Sequence, residues 1–166
     1  GQKFPVTISA NIAIEQSYGH IDGDSASMAE LCALISAIAN LPINQGLAIT
    51  GSMNQHGEVQ SIGGVNEKIE GFYRLCKDKG LTGEQGVIIP KTNTINLMLA
   101  PEVIQAVADG KFAIYAVENI DQAIEILMAQ PAGEITRTGR YPRKSIHGIV
   151  LDKLSAFSDL LNGVEE

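Results

Sequence analysis

The sequence predicts a single α/β (α+β) domain in which small mixed sheets and a hairpin pack against several helices. Three observations favour this class. The chain has 166 residues, which is close to the usual length of one domain. Hydrophobic residues make up 45% of the chain and charged residues 19%, and both proportions are typical of a globular protein. Segments with strand-like alternation and segments with helical spacing follow one another along the chain.

The chain is predicted to begin with a strand and to continue into a buried helix. Alternate residues from 4 to 14 are apolar, which predicts a half-buried strand or a bent hairpin. The strongly apolar stretch 25–41 follows a polar loop, so we expect a largely buried helix there. Asp22 or Asp24 is expected to cap the start of this helix, and Pro42 is expected to end it.

A hairpin and a second helix are predicted next. Leu47–Ile49 is interpreted as the first strand, 58–62 as the returning strand, and the polar, glycine-containing stretch 51–57 as the turn between them. Residues 65–79 have helical spacing, which should end at Gly80.

The second half of the chain alternates strands and helices, which is typical of an α/β arrangement. We expect strands at 86–89 and 111–117 and helices at 101–108 and 120–130. Residues 131–142 are interpreted as a connector, and 146–161 as a final helix with one apolar face. The chain is therefore divided into a domain over 1–130 and a connector with a C-terminal helix over 131–166, which packs on the same domain or on a neighbour.

Composition excludes several classes of function. Twelve basic and 19 acidic residues give a net charge of −7, so we expect no nucleic-acid partner. No apolar run reaches the roughly 18 residues of a membrane span, and no signal-peptide core is present, so we expect a soluble protein without a membrane partner. Cys32 and Cys76 form no disulfide framework, which favours a cytoplasmic location. We also expect no metal, because His20, Asp22 and Asp24 fail the calcium-loop pattern and the cysteines lack zinc spacing.

Two residues together indicate a catalytic pair. Ser25 lies where a loop meets a helix start, near backbone N–H groups that can stabilise an oxyanion. Lys68 interrupts an apolar row, where loss of solvation would disfavour its charged form and allow it to act as a general base. A capping serine or a snorkelling lysine explains either residue alone, but together they are the minimum for serine–lysine hydrolysis. Thr50, at a strand end, would orient the amine, whereas Lys77 points to the opposite side of the helix from Lys68.

Three stretches carry a resemblance to a known family. They are DGDSAS at 22–27, ITG at 49–51 and GEVQSIGGVNEK at 57–68. In their order and spacing the chain resembles the proteolytic domain of the Lon proteases, which use a serine–lysine dyad. The likeness runs from about Phe4 to Met128.

The resemblance implies a serine endopeptidase in which Ser25 is the nucleophile and Lys68 is the base. The family's threonine beside the lysine corresponds to Thr50, and its acidic residue before the serine corresponds to Asp22. The resemblance also implies polypeptide substrates, a homo-oligomeric six-membered ring and an ATP-driven unfolding domain that usually precedes the proteolytic domain in the same polypeptide.

Two residues depart from the commonest bacterial form of the motif. Asp24 and Ser27 replace its Pro and Gly and resemble the B-type branch of the family. We expect the Asp24 carboxylate to pair with Lys68 and keep it protonated in a resting state. No GxxxxGK[ST] motif occurs, so we expect no cofactor in this chain. ATP dependence would come from an ATPase domain before Gly1 or from another protein, or it would not exist.

Two other functions are compatible with parts of the sequence. A serine–histidine–aspartate hydrolase has the permitted order Ser25, Asp121 and His147, but the sequence around Ser25 lacks the second glycine of a nucleophile elbow. The rival from another class is a noncatalytic module with a protease-like fold that assembles a ring or binds a partner. Ser25 and Lys68 argue against it, because such a module has no need of both.

Overall fold

The computed structural model describes residues 8–13 and 23–163. These residues form the mixed α/β fold that the sequence predicts, with a three-stranded sheet, a two-stranded ribbon, five α-helices and one 3₁₀ helix. The helices are α1 (Ser27–Ala39), α2 (Val65–Lys79), α3 (Pro101–Ala108), α4 (Ile120–Met128) and α5 (Ile146–Asn162), and the 3₁₀ helix η1 is Lys91–Asn96.

The main sheet has three parallel strands. In it, β4 (Gly86–Pro90) lies between β1 (Leu47–Ile49) and β5 (Ala113–Val117). Helices α2 and α3 lie in the two crossover connections, as parallel neighbours require. All five residues of β4 are buried, which explains its uninterrupted apolar sequence.

The sheet separates two apolar clusters because successive side chains of β4 point to opposite faces. Ile88 packs in the cluster that includes buried residues of α1, α4 and α5, and Val87 and Ile89 pack in the cluster that includes buried residues of α2 and α3. Helices therefore cover both faces of the sheet.

The predicted hairpin forms with a different first arm. Leu47–Ile49 pairs with β4, whereas β2 (Ser52–Met53) pairs antiparallel with β3 (Val59–Gln60). The prediction of a hairpin was right, but its assignment of Leu47–Ile49 was wrong. Local alternation could not show that a buried partner strand comes much later in the chain.

The ends of α1 also differ from prediction. The helix begins at Ser27, its N-cap position Ala26 offers no side-chain cap, and the Asp24 side chain does not cap it. Asn40, in a left-handed conformation, donates its N–H to the Ser36 carbonyl, so the helix ends before Pro42. Asp22 lies outside the described residues.

The predicted N-terminal strand is not present where it can be assessed. Residues 8–13 form neither helix nor strand, and 9–13 are exposed. Alternation favours a strand only when a partner covers one face, and no described strand does so here. The remainder of the predicted segment lies outside the described residues.

The other predicted elements are confirmed within two residues at each end. The 3₁₀ helix η1 was not predicted. Ser145 caps α5 by accepting from Gly148 N, and α5 packs against α1. Its distal part is more exposed, with 68% of Leu160 and 54% of Leu161 accessible. No described helix has the length and apolarity needed to cross a membrane.

Candidate active site

Three side chains from separate elements meet at one end of the domain. The Lys68 Nζ atom donates a hydrogen bond to Ser25 Oγ at 2.8 Å and another to Thr50 Oγ1 at 3.3 Å. Ser25 lies just before α1, Thr50 follows β1, and Lys68 is in the first turn of α2. The structure therefore brings together the serine, lysine and threonine that the sequence singled out.

Hydrogen bonds fix the serine segment to the end of β1. The Ser25 carbonyl accepts from Gly51 N at 2.9 Å and from Thr50 Oγ1 at 3.3 Å. Met28 N donates to the Gly51 carbonyl at 3.3 Å. A Cβ at Gly51 would overlap the Met28 sulfur, so any side chain at position 51 would displace the buried Met28 side chain.

The α2 helix places Lys68 through its buried neighbours. Gly64, at φ 66°, precedes the helix, and Val65 and Ile69 are anchored in the core at 4% and 0% exposure. One helical step of about 100° separates Lys68 from Ile69, which turns the lysine toward the edge of the buried face. Lys68 is consequently exposed in the single chain, so the predicted apolar surroundings are wrong.

Asp24 binds a residue that the sequence did not single out. Its Oδ2 accepts a 2.6 Å hydrogen bond from Ser52 Oγ. The expected ion pair with Lys68 is therefore not formed, and no ion pair among the described residues includes Lys68. The sequence did carry a signal for Ser52, because alternate residues of an extended segment share a side and Thr50 is two positions earlier.

The start of α1 supplies backbone donors beside Ser25. Two amides of the first turn are already used, since Ser27 N donates to the Asp24 carbonyl and Met28 N donates to Gly51. The amides of Ser25 and Ala26 have no acceptor among residues 8–13 and 23–163. These two N–H groups, at the positive end of the helix dipole, are suited to bind a developing negative charge.

Two of the three residues of the alternative serine–histidine–aspartate constellation are in contact. His147 Nε2 lies 2.8 Å from Asp121 Oδ1, which joins α5 to α4. The Ser25 hydroxyl, however, accepts from Lys68, and no hydrogen bond between described residues joins it to His147. The histidine–aspartate pair therefore has a structural role in joining the two helices.

The two cysteines are not candidates for chemistry. Burial raises the pKa of Cys32 to about 12 and also raises the pKa of Cys76. Both thiols therefore stay protonated, and a protonated thiol is neither a good nucleophile nor a good metal ligand. In the described part of the chain no group of three potential metal ligands occurs.

Known proteins resemble this chain over most of its length. Residues 8–130 match the family model described as the Lon protease (S16) C-terminal proteolytic domain. The Escherichia coli (strain K12) protein called "Putative Lon protease homolog" is 54% identical over 123 residues, covering 74% of this chain and 21% of that protein. Its namesake from Haemophilus influenzae is 57% identical over 122 residues, covering 74% and 20%.

An archaeal relative is also similar. The "Archaeal Lon protease" of Thermococcus kodakarensis is 42% identical over 113 residues, covering 68% of this chain and 16% of that protein. The chain thus spans about a fifth or less of the length of these relatives.

Proposed function

This chain belongs to the Lon protease (S16) C-terminal proteolytic domain family, and from that premise we propose that it is a serine endopeptidase with a Ser25–Lys68 dyad. The observation that carries the proposal is the 2.8 Å hydrogen bond between Lys68 Nζ and Ser25 Oγ. A base must lie within about 2.6–3.2 Å of the group whose proton it removes, and this contact satisfies that requirement.

Acylation begins when the neutral Lys68 amine takes the Ser25 proton as Oγ attacks a peptide carbonyl carbon. The carbonyl oxygen becomes an oxyanion, which accepts from the Ser25 and Ala26 amides. Collapse of the intermediate breaks the C–N bond, and the Lys68 ammonium donates its proton to the leaving amine. An acyl-enzyme on Ser25 and a neutral lysine remain.

Deacylation repeats these steps with water. Lys68 takes a proton from a water molecule as its oxygen attacks the acyl carbon, and it returns the proton to Ser25 Oγ when the ester bond breaks. Thr50 keeps the amine aligned in both halves of the reaction. Its hydroxyl donates to the Ser25 carbonyl and accepts from Lys68 Nζ, so it connects nucleophile and base.

The wider assignment rests on family membership. We propose polypeptide substrates, a six-membered ring of identical subunits, a cytoplasmic location and a supporting role for Asp22. Asp24 and Ser27 favour the B-type branch. This chain has no phosphate-binding GxxxxGK[ST] loop, so ATP dependence would belong to an ATPase domain outside it. Residues 1–130 would form the proteolytic domain, and residues 131–166 would add the connector and C-terminal helix.

Labelling with a fluorophosphonate, which phosphonylates activated serines, tests the dyad without an ATPase. Intact mass and peptide mapping should place one adduct on Ser25 in the wild type. Ser25→Ala and Lys68→Ala should abolish labelling, because one lacks the nucleophile and the other lacks the base.

Ser61→Ala and Lys79→Ala are the matched controls, since both remove exposed side chains and should label as the wild type does. Absence of labelling in a folded wild type, together with no peptide turnover, would contradict the dyad and favour the noncatalytic assembly module.

A further inference from the structure

A buried hydroxyl binds the carboxylate that directly precedes Ser25. Ser52, on β2, is only 3% exposed, and its Oγ donates to Asp24 Oδ2 at 2.6 Å. This length is typical of a charge-assisted O–H···O⁻ hydrogen bond, which is stronger than a neutral one. Ser52 therefore determines where the Asp24 carboxylate lies.

The backbone of Asp24 is independently fixed. Its carbonyl accepts from Ser27 N at 3.0 Å and from Ser27 Oγ at 2.6 Å. Loss of the Ser52 hydroxyl would thus leave the main chain in place and free only the carboxylate. The carboxylate binds Ser52 and the lysine binds Thr50, and these alternate residues of an extended segment share a side, so the two charged groups lie on the same side of it.

Other charged groups near the site do not replace this interaction. Glu67 is beside Lys68 on α2, Glu30 is in the first turn of α1, and Glu58 is on the hairpin, where its carboxylate accepts from the Asn54 amide. Within the described residues no acidic group lies within 4 Å of Lys68 Nζ. Among these acidic residues, Asp24 is the one whose carboxylate is held by the Ser52 hydroxyl.

We propose that Ser52 is a positioning residue that keeps the Asp24 carboxylate away from Lys68. This inference rests on the proposed Ser25–Lys68 dyad. A carboxylate beside the lysine stabilises the ammonium form, which cannot accept the Ser25 proton. By binding Asp24, Ser52 holds this carboxylate away from the amine that must accept the Ser25 proton.

The test is the pH dependence of fluorophosphonate labelling at Ser25 in four proteins: the wild type, Ser52→Ala, Asp24→Asn and the double variant. Ser52→Ala should raise the pH midpoint of the labelling rate by about one unit, because an opposite charge within ~4–6 Å shifts a titration by 1–3 units. Labelling well below the midpoint should be about tenfold slower. In the Asp24→Asn background, Ser52→Ala should leave the midpoint unchanged, since no carboxylate remains to move.

Ser36→Ala is the matched control. It removes a half-buried hydroxyl that donates to the Leu41 carbonyl at the far end of α1, so it should affect stability without moving the midpoint. Ser52→Cys provides a second variant of nearly the same shape if Ser52→Ala fails to fold. Its weakly donating thiol should also raise the midpoint.

The outcomes separate this inference from the function on which it rests. A Ser25 adduct that forms in Ser52→Ala or Ser52→Cys with an unchanged midpoint would overturn the positioning role and leave the dyad intact. An equal shift in the Asp24→Asn background would also overturn it, because the effect would not pass through the carboxylate. No Ser25 adduct in the wild type would overturn the dyad itself.

Discussion

The two flanks of α2 are held in different ways. On one flank Lys68 contacts two hydroxyl groups, Ser25 Oγ and Thr50 Oγ1. On the other flank Asn66 and Glu70 bind main-chain atoms of the segment 96–100. Asn66 Nδ2 donates to Asn96 O at 3.0 Å, Asn66 Oδ1 accepts from Met98 N at 2.8 Å, and Glu70 Oε1 accepts from Ala100 N at 2.9 Å.

The difference separates anchoring from chemistry. Bonds to main-chain atoms attach the helix to a neighbouring segment whose backbone cannot rotate away. Lys68 makes its contacts through a flexible side chain, and its amine can exchange a proton with the Ser25 hydroxyl. The Asn66 flank therefore fixes the helix, and the Lys68 flank presents a reactive amine to Ser25. Substitutions on the two flanks should separate activity from stability.

Lys68→Arg should have the largest effect. A guanidinium stays protonated, so the variant should lose the roughly 10²–10⁴-fold that a general base contributes to the rate of Ser25 labelling. The free energy of unfolding should change by less than about 0.5 kcal/mol, because Lys68 is exposed. Labelling rates and urea unfolding measure the two effects. Wild-type labelling in this variant would remove Lys68 as the base.

Asn66→Ala should have an intermediate effect, and it should lower stability rather than the rate of Ser25 labelling. Loss of two hydrogen bonds to the 96–98 backbone should lower stability by about 2 kcal/mol and the unfolding midpoint by about 4–8 °C. Asn66→Asp keeps the acceptor for Met98 N and should lose about half as much. Thermal unfolding checks both. A larger fall in Ser25 labelling than in Lys68→Arg would contradict the division between the flanks.

Glu102→Gln should have the smallest effect. The hydrogen bond between Lys77 on α2 and Glu102 on α3 lowers the pKa of Glu102 and raises the pKa of Lys77. The contribution of Glu102 is present above its ordinary pKa of 4.5 and is lost as the pH falls through its lowered folded value. The contribution of Lys77 is present below its ordinary pKa of 10.5 and is lost as the pH rises through its raised value.

Because both groups are exposed, Glu102→Gln should lower the thermal unfolding midpoint only slightly. This small decrease should be measurable between about pH 5 and pH 10. The unfolding midpoints of the wild type and Glu102→Gln should converge in acid, because Glu102 is then protonated in both the folded and the unfolded wild type. Melting curves across this range provide the measurement. A difference that grows as the pH falls would contradict the assigned direction.

Local patterns in the sequence predict much of the fold. The helical spacing of Val65, Ile69 and Tyr73 predicts α2, and the predicted bounds 65–79 are the observed ones. The apolar run at 86–89 predicts the central strand. Lys77 was expected on the side opposite Lys68, and its pairing with Glu102 confirms this. Such features depend on neighbours within a few positions, which the sequence displays directly.

The predictions that failed depend on distant residues. The strand Leu47–Ile49 pairs with a segment almost forty positions later, so its alternation could not reveal its partner. Ser52 determines the position of the Asp24 carboxylate, and no sequence motif links two residues so far apart in the chain. The exposure of Lys68 depends on which distant residues cover that flank of α2. The apolar residues next to Lys68 in the sequence indicate only which side of the helix faces the core.

The burial of both thiols makes this chain convenient for site-directed labelling. Cys32 is 1% exposed and Cys76 is 8% exposed, and both carry raised pKa values, so maleimide reagents at neutral pH should leave them largely unmodified. A cysteine introduced at exposed Leu160, near the end of α5, would then be the preferred attachment point for a fluorophore. Energy transfer between donor- and acceptor-labelled chains could report subunit association without removal of either native cysteine.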